Sequence, residues 1–112
     1  MLNWSSKMYT DAVLLKKKKR YQKMLERNKP VPSLYCITLP VNGKNIMEIY
    51  SAGEFWFQWY RQKSMTVIGL AGSRENARKL AAQICLDIVD MQGDITPELV
   101  RGYFLDTTEQ PE

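Results

Sequence analysis

Histidine is absent from this 112-residue sequence, and cysteine occurs only twice, at Cys36 and Cys85. The commonest general base and the usual zinc-ligand patterns are therefore missing. Each cysteine is flanked by apolar residues, which fits a buried thiol better than a nucleophile. Gly-rich phosphate loops are missing too, because Ala52-Gly53 and Ala71-Gly72 lack the glycine spacing of Walker or dinucleotide-binding turns. No apolar run reaches the roughly 18 residues of a membrane span. Residues 1–10 have neither the basic start nor the apolar middle of a signal peptide. Carboxylates are close together only at Asp87, Asp90 and Asp94, along one side of a helix with no convergent partner, so they read as a solvated face. These absences predict a non-enzymatic, cytoplasmic protein with no metal, no cofactor and no integral membrane association.

What is present is an ordinary globular composition, 45% hydrophobic and 25% charged, in a length that suits a single domain over 1–112. The net charge of +4 hides an asymmetry. Residues 1–30 hold nine basic side chains against Asp11 and Glu26, whereas the remainder holds seven basic and ten acidic groups. A basic arm on a slightly acidic body points to a polyanionic partner.

Between residues 9 and 28 the chain is rich in Leu, Lys, Gln, Met, Glu and Arg with no Gly or Pro, until Pro30 and Pro32. One helix is expected there, making 1–30 a basic helical arm. Val13, Leu14, Tyr21, Met24 and Leu25 form its apolar side, interrupted by Lys17, and Lys16, Lys19, Arg20, Lys23 and Arg27 gather on the opposite side. Segments 33–41 and 45–51 then read as strands joined by a hairpin turn at Asn42-Gly43, with Pro40 suggesting an edge position. Segments 55–61 and 65–70 read as two more, completing a four-stranded antiparallel meander over 33–70. A long amphipathic helix over 73–92 follows, with Ser73 as N-cap and Gly93 just past its end. Ala77, Leu80, Ala81, Ile84, Ile88 and Met91 face the sheet. Ala82, Leu86 and Val89 lie off that stripe and need a second cover. A short helix over 97–104, capped by Thr96 and opened by Pro97, is the candidate, and 106–112 reads as a flexible tail. The expected class is α+β.

The run Lys16-Lys17-Lys18-Lys19-Arg20 is the strongest chemical signal, since closely spaced cations neutralise phosphates and release counterions. Lys16, Lys19, Arg20, Lys23 and Arg27 are the candidate nucleic-acid contacts; a solvated face or an acidic protein or lipid surface is the rival reading. The stretch 55–60 holds five of the twelve aromatic residues. It reads either as core between two covered sheet faces or as an interaction surface. In the second case Trp56 and Tyr60 point to a protein partner or a homodimer. The run from Gly69 to Ala82, with Gly72-Ser73 ahead of Arg74, Arg78 and the Ala81-Ala82 pair, resembles the end of a double-stranded-RNA-binding domain. The resemblance covers about twenty residues, and Glu75 stands where that family favours a lysine. It implies that Ser73, Arg74 and Arg78 present a helix N-terminus and two cations to RNA phosphates. The reading is a small binding protein that contacts nucleic acid through its basic helix, with protein interaction through 55–60 as the alternative.

Overall fold

A computed structural model describes residues 2–27, 29, 31, 33–40, 45–55, 57 and 65–105. Its sheet has four strands, β1 (Leu2–Thr10), β2 (Tyr35–Thr38), β3 (Glu48–Ser51) and β4 (Met65–Ala71), in the order β1-β4-β2-β3. A 3-10 helix (Ala12–Lys17) runs directly into α1 (Lys18–Glu26), and α2 (Arg74–Gln92) and α3 (Pro97–Leu105) follow β4. The class is α+β, but the sheet is mixed. β1 runs parallel to β4, while β4 with β2 and β2 with β3 are antiparallel.

Three expectations are overturned. Residues 2–10 of the supposed helical arm form β1, so helix begins only at Ala12. Their polar run of Asn3, Ser5, Ser6 and Lys7 is tolerable because β1 is an edge strand, where solvent takes one side. The expected third meander strand does not start at Phe55, since Ala52 to Phe55 and Phe57 are helical; residues 56 and 58–61 lie outside the described residues. Ser51 is the reason, since its Oγ accepts the Glu54 N–H at 3.3 Å while Glu54 Oε1 accepts the Ser51 N–H at 2.9 Å. This reciprocal capping box starts a helix and overrides the β preference of the aromatics behind it. Third, Pro40 does not mark an edge; β2 lies between β4 and β3, and Pro40 falls beyond its last residue, Thr38, where no ladder N–H is required. The turn at Asn42-Gly43 and the tail 106–112 lie outside the described residues.

Helices cover both sheet faces. Leu14, Leu25, Val31, Leu34, Cys36, Phe55, Val67 and Leu70 fill one side, with Trp4, Tyr21 and Met24 packed against them. Ile37, Leu39, Ile68, Ile84, Ile88, Val100 and Phe104 fill the other, beneath α2 and α3. A bulge in β4 lets neighbouring residues serve both. Ile37 pairs with Gly69 and Thr38 with Val67, leaving Ile68 without an opposite residue. Gly69 keeps the contact open, because a Cβ there would lie 3.0 Å from Ile37 Cδ1 and Ile37 would have to shift by a few tenths of an ångström. The ends of α2 follow their sequence signals, whereas Met91, expected to face the sheet, is exposed. Ser73 Oγ accepts the Asn76 N–H at 3.0 Å, and Gly93, at φ 80°, donates its N–H to Val89 O at 2.7 Å. α3 is likewise capped, by Thr96 Oγ1 accepting from Leu99 N at 3.1 Å.

Asp11 joins the parallel pair to its helices. Its N–H donates to Leu70 O at 2.8 Å, continuing the β1 side of the sheet, and its carboxylate caps the 3-10 helix at Val13 N. One carboxylate oxygen also accepts the Gly72 N–H at 3.0 Å and the Asn76 side-chain amide at 2.8 Å. Burial pushes this carboxyl up, but the donors at Gly72, Asn76, Val13 and Ala12 outweigh it and hold the pKa below the ordinary carboxylate value. A lowered folded-state pKa means stability that is present above the unfolded value and lost as pH falls through the folded one. Asp11→Ala should therefore cost about 1–3 kcal/mol in urea unfolding at pH 7, and the gap to the parent should close as pH falls below the carboxylate range. A pH-independent gap would contradict this role.

Candidate nucleic-acid interface

α1 is amphipathic because its inward side must fill the core beneath it. Leu25 is fully buried and Tyr21 and Met24 are half-buried, which turns Lys19, Arg20, Lys23 and Arg27 to solvent. The helix is also tied to the sheet, as Trp4 Nε1–H donates to Glu26 Oε2 at 2.6 Å. Its last turn closes with the Arg27 N–H on Lys23 O at 3.0 Å and the Lys29 N–H on Met24 O at 2.9 Å. Lys23 and Arg27 sit there against the negative end of the helix dipole.

Lys19, Arg20, Lys23, Met24, Arg27 and Lys29 line one open cleft of about 520 Å³. Four of the five cations expected from the sequence are brought together there. Lys16 is exposed but belongs to the 3-10 turn ahead of the cleft and does not line it. Lys29 is a lining residue that the helical pattern missed, because it reaches the cleft through the turn after α1 and not through helical spacing. Among the described residues the one ion pair is Lys79 with Glu75, at 3.5 Å on α2, and no described carboxylate pairs with the cleft cations. Five such groups side by side repel one another. Met24 gives the cleft an apolar floor.

Trp56 and Tyr60 lie outside the described residues. Of their neighbours, Phe55 is fully buried and Phe57 is 61% exposed, because residues two apart in a helix point differently from residues two apart in a strand. Cys36 is buried, and burial pushes its thiol up to about 12, which leaves it protonated and unreactive. Ser73 caps α2 as the RNA-binding resemblance implies, but the Arg74 guanidinium lies 5.1 Å from the Tyr35 ring centroid. That contact stations Arg74 over the sheet.

A second polar cluster had no signal in the sequence, because its members are 78 and 94 positions apart. Tyr9 OH donates to Asp87 Oδ2 at 2.5 Å and lies 2.9 Å from Tyr103 OH. Tyr9 has one proton, so Tyr103 is the donor to Tyr9. Gln83 Nε2 donates to the other Asp87 oxygen at 2.8 Å, and Lys7 Nζ lies 4.4 Å from the Tyr103 ring centroid. Burial, then the bonds to Asp87 and Tyr103, raise Tyr9 above the normal phenol range. The cluster ties β1 to α2 and α3 and takes Asp87 away from Asp90 and Asp94. Among the described residues no three His, Cys, Asp or Glu side chains converge as metal ligands, and no helix is long and apolar enough to cross a membrane.

The chain matches no family model, no curated protein and no solved structure. The resemblance of residues 69–82 to a double-stranded-RNA-binding domain gains no support from these comparisons.

The Asp87 carboxyl is held below its ordinary pKa by the Tyr9 hydroxyl first and by Gln83 second. Tyr9→Phe should raise it toward the free-carboxylate value, measured by carbon NMR of the carboxyl through a pH titration. An unchanged midpoint would show that the Tyr9 bond does not form in solution.

Proposed function

We propose that this chain is a small, non-enzymatic protein that binds nucleic acid through the exposed face of α1. The observation that carries the reading is the convergence of Lys19, Arg20, Lys23, Arg27 and Lys29 on one cleft, with no carboxylate among the described residues lining it. Phosphates along a nucleic-acid backbone offer the repeated negative charge that such a site neutralises, and release of their counterions supplies the affinity. Arg20 and Arg27 add planar donors suited to phosphate oxygens, while the lysines act as point charges. Nothing in this arrangement reads bases, so binding is sequence-independent.

Fluorescence anisotropy with a labelled duplex tests it. Five phosphate contacts on a duplex predict that log K falls against log salt with a slope of about −4.5. Replacing Lys19, Arg20, Lys23 and Arg27 together by glutamine should abolish retention at low salt. The unfolding midpoint should stay near that of the parent, because exposed substitutions cost under about 0.5 kcal/mol each. Equal binding by the variant and the parent would sink the reading.

A further inference from the structure

Among the described residues nothing covers the outer face of α2. On the sequence, Ala82, Leu86 and Val89 demand a cover and α3 is the candidate. Instead, α3 sends Val100 and Phe104 into the cluster of Ile37, Ile68, Ile84 and Ile88, on the inner side of α2. Leu86 remains 61% exposed and Val89 39% exposed, with Ala82 open and Cys85 half-buried beside them. At 100° per residue these four lie within about 100° of one another, opposite Ala77, Ile84 and Ile88. They form one apolar stripe on a 19-residue helix, with Arg78, Lys79, Gln83 and Asp90 around it.

We propose that this stripe is a homodimer interface, in which α2 packs antiparallel against α2 of a second copy about a two-fold axis level with the midpoint of residues 84 and 85. The charge pattern selects this occupant. Lys79 and Asp90 lie on the same flank of the stripe, about 8 Å to either side of that midpoint at 1.5 Å per residue. In an antiparallel pair, groups on the same flank meet, so Lys79 of each copy stands level with Asp90 of the other and the contact is made twice. The pair of Lys79 with Glu75 within its own helix is exposed, and such pairs contribute little, so it does not hold Lys79 back. The apolar side chains fit the same register. Leu86 of the two copies flanks the axis, and Ala82, with its small side chain, takes the position between Leu86 and Val89 of the partner helix. Helix dipoles also run in opposite senses there. With four apolar side chains per copy the contact is small, and the dimer is weak and concentration-dependent.

Sedimentation equilibrium of the full chain, from about 10 µM to about 1 mM, should show a monomer–dimer equilibrium. Leu86→Glu places like charges about the axis and should raise the dissociation constant by about tenfold or more. Lys79→Glu and Asp90→Lys should each weaken the dimer, and the double exchange should restore it. A parent that stays monomeric, a Leu86→Glu chain that dimerises as the parent does, or a double exchange that remains weak would each overturn the proposal. A short bis-maleimide supplies a measurement on the native chain should Leu86→Glu fail to fold. Cys36 is fully buried, and the register brings the two Cys85 side chains to nearly the same level on one flank. The reagent should yield dimer from the parent and none from Cys85→Ser; failure to cross-link the parent at the high end of the range counts against the pairing.

Discussion

The carboxylate of Asp11 is the point on which the arrangement turns. β1 and β4 are parallel neighbours far apart in sequence, and parallel pairing needs a long crossover whose two ends must be brought into register. At the carboxyl ends of these strands one side chain takes the Gly72 N–H and the Asn76 amide, while its own backbone N–H reaches Leu70 O. The same group caps the 3-10 helix through Val13. Four elements are thereby referred to a single residue: the end of β1, the entry toward α1, the end of β4 and the first turn of α2. Each bond alone is modest, on the order of 1 kcal/mol, but a buried or half-buried donor left without it carries a desolvation cost as well. The junction therefore fixes geometry more than it adds stability.

From that geometry the position of the basic face follows. Asp11 sends the chain off the end of β1 toward one side of the sheet, where Leu14 and Leu25 enter the core with Val67 and Leu70. Once those side chains point inward, helical periodicity leaves Lys19, Arg20, Lys23 and Arg27 no other direction than outward. Their concentration is thus a consequence of packing, but the absence of carboxylates among the described residues of the cleft lining is not. Many surface helices carry interleaved acidic groups at such spacing. Here the single acidic residue of α1, Glu26, is drawn to the Trp4 indole, away from the cations.

The parts that could be read from the sequence are those governed by local rules. Ser73, Gly93, Thr96 and Pro97 bound α2 and α3 where capping chemistry requires, and the apolar period of α2 identifies Ile84 and Ile88 as core. β1 was hidden because its partner lies some sixty residues away and its own polar residues carry no alternation strong enough to outweigh the basic helical run behind it. It is also irregular: between Trp4 and Tyr9 its pairing with β4 shifts register, with Ser5 turned inward to donate to Phe104 O at 3.3 Å. The helix after β3 had a local signal in Ser51 and Glu54, which the aromatic content of 55–60 obscured. For the site, the helical spacing of Lys19, Arg20, Lys23 and Arg27 could be read. Lys29 and the bonding of Tyr9, Asp87 and Tyr103 are products of tertiary approach, for which one sequence carries no sign.

The sheet separates the two surfaces proposed for binding. α1 lies on one face and α2 on the other, so a contact made through the outer side of α2 does not compete with a phosphate backbone at the cleft. In a two-fold pair each copy keeps its cleft, and the pair holds two. A polyanion long enough to reach both would then bind with the second contact made at high effective concentration, gaining avidity without any new side-chain interaction. A short one, able to occupy a single cleft, would gain nothing from pairing. Self-association through α2 would therefore act less on the intrinsic strength of each basic cleft than on the length of nucleic acid that the protein prefers.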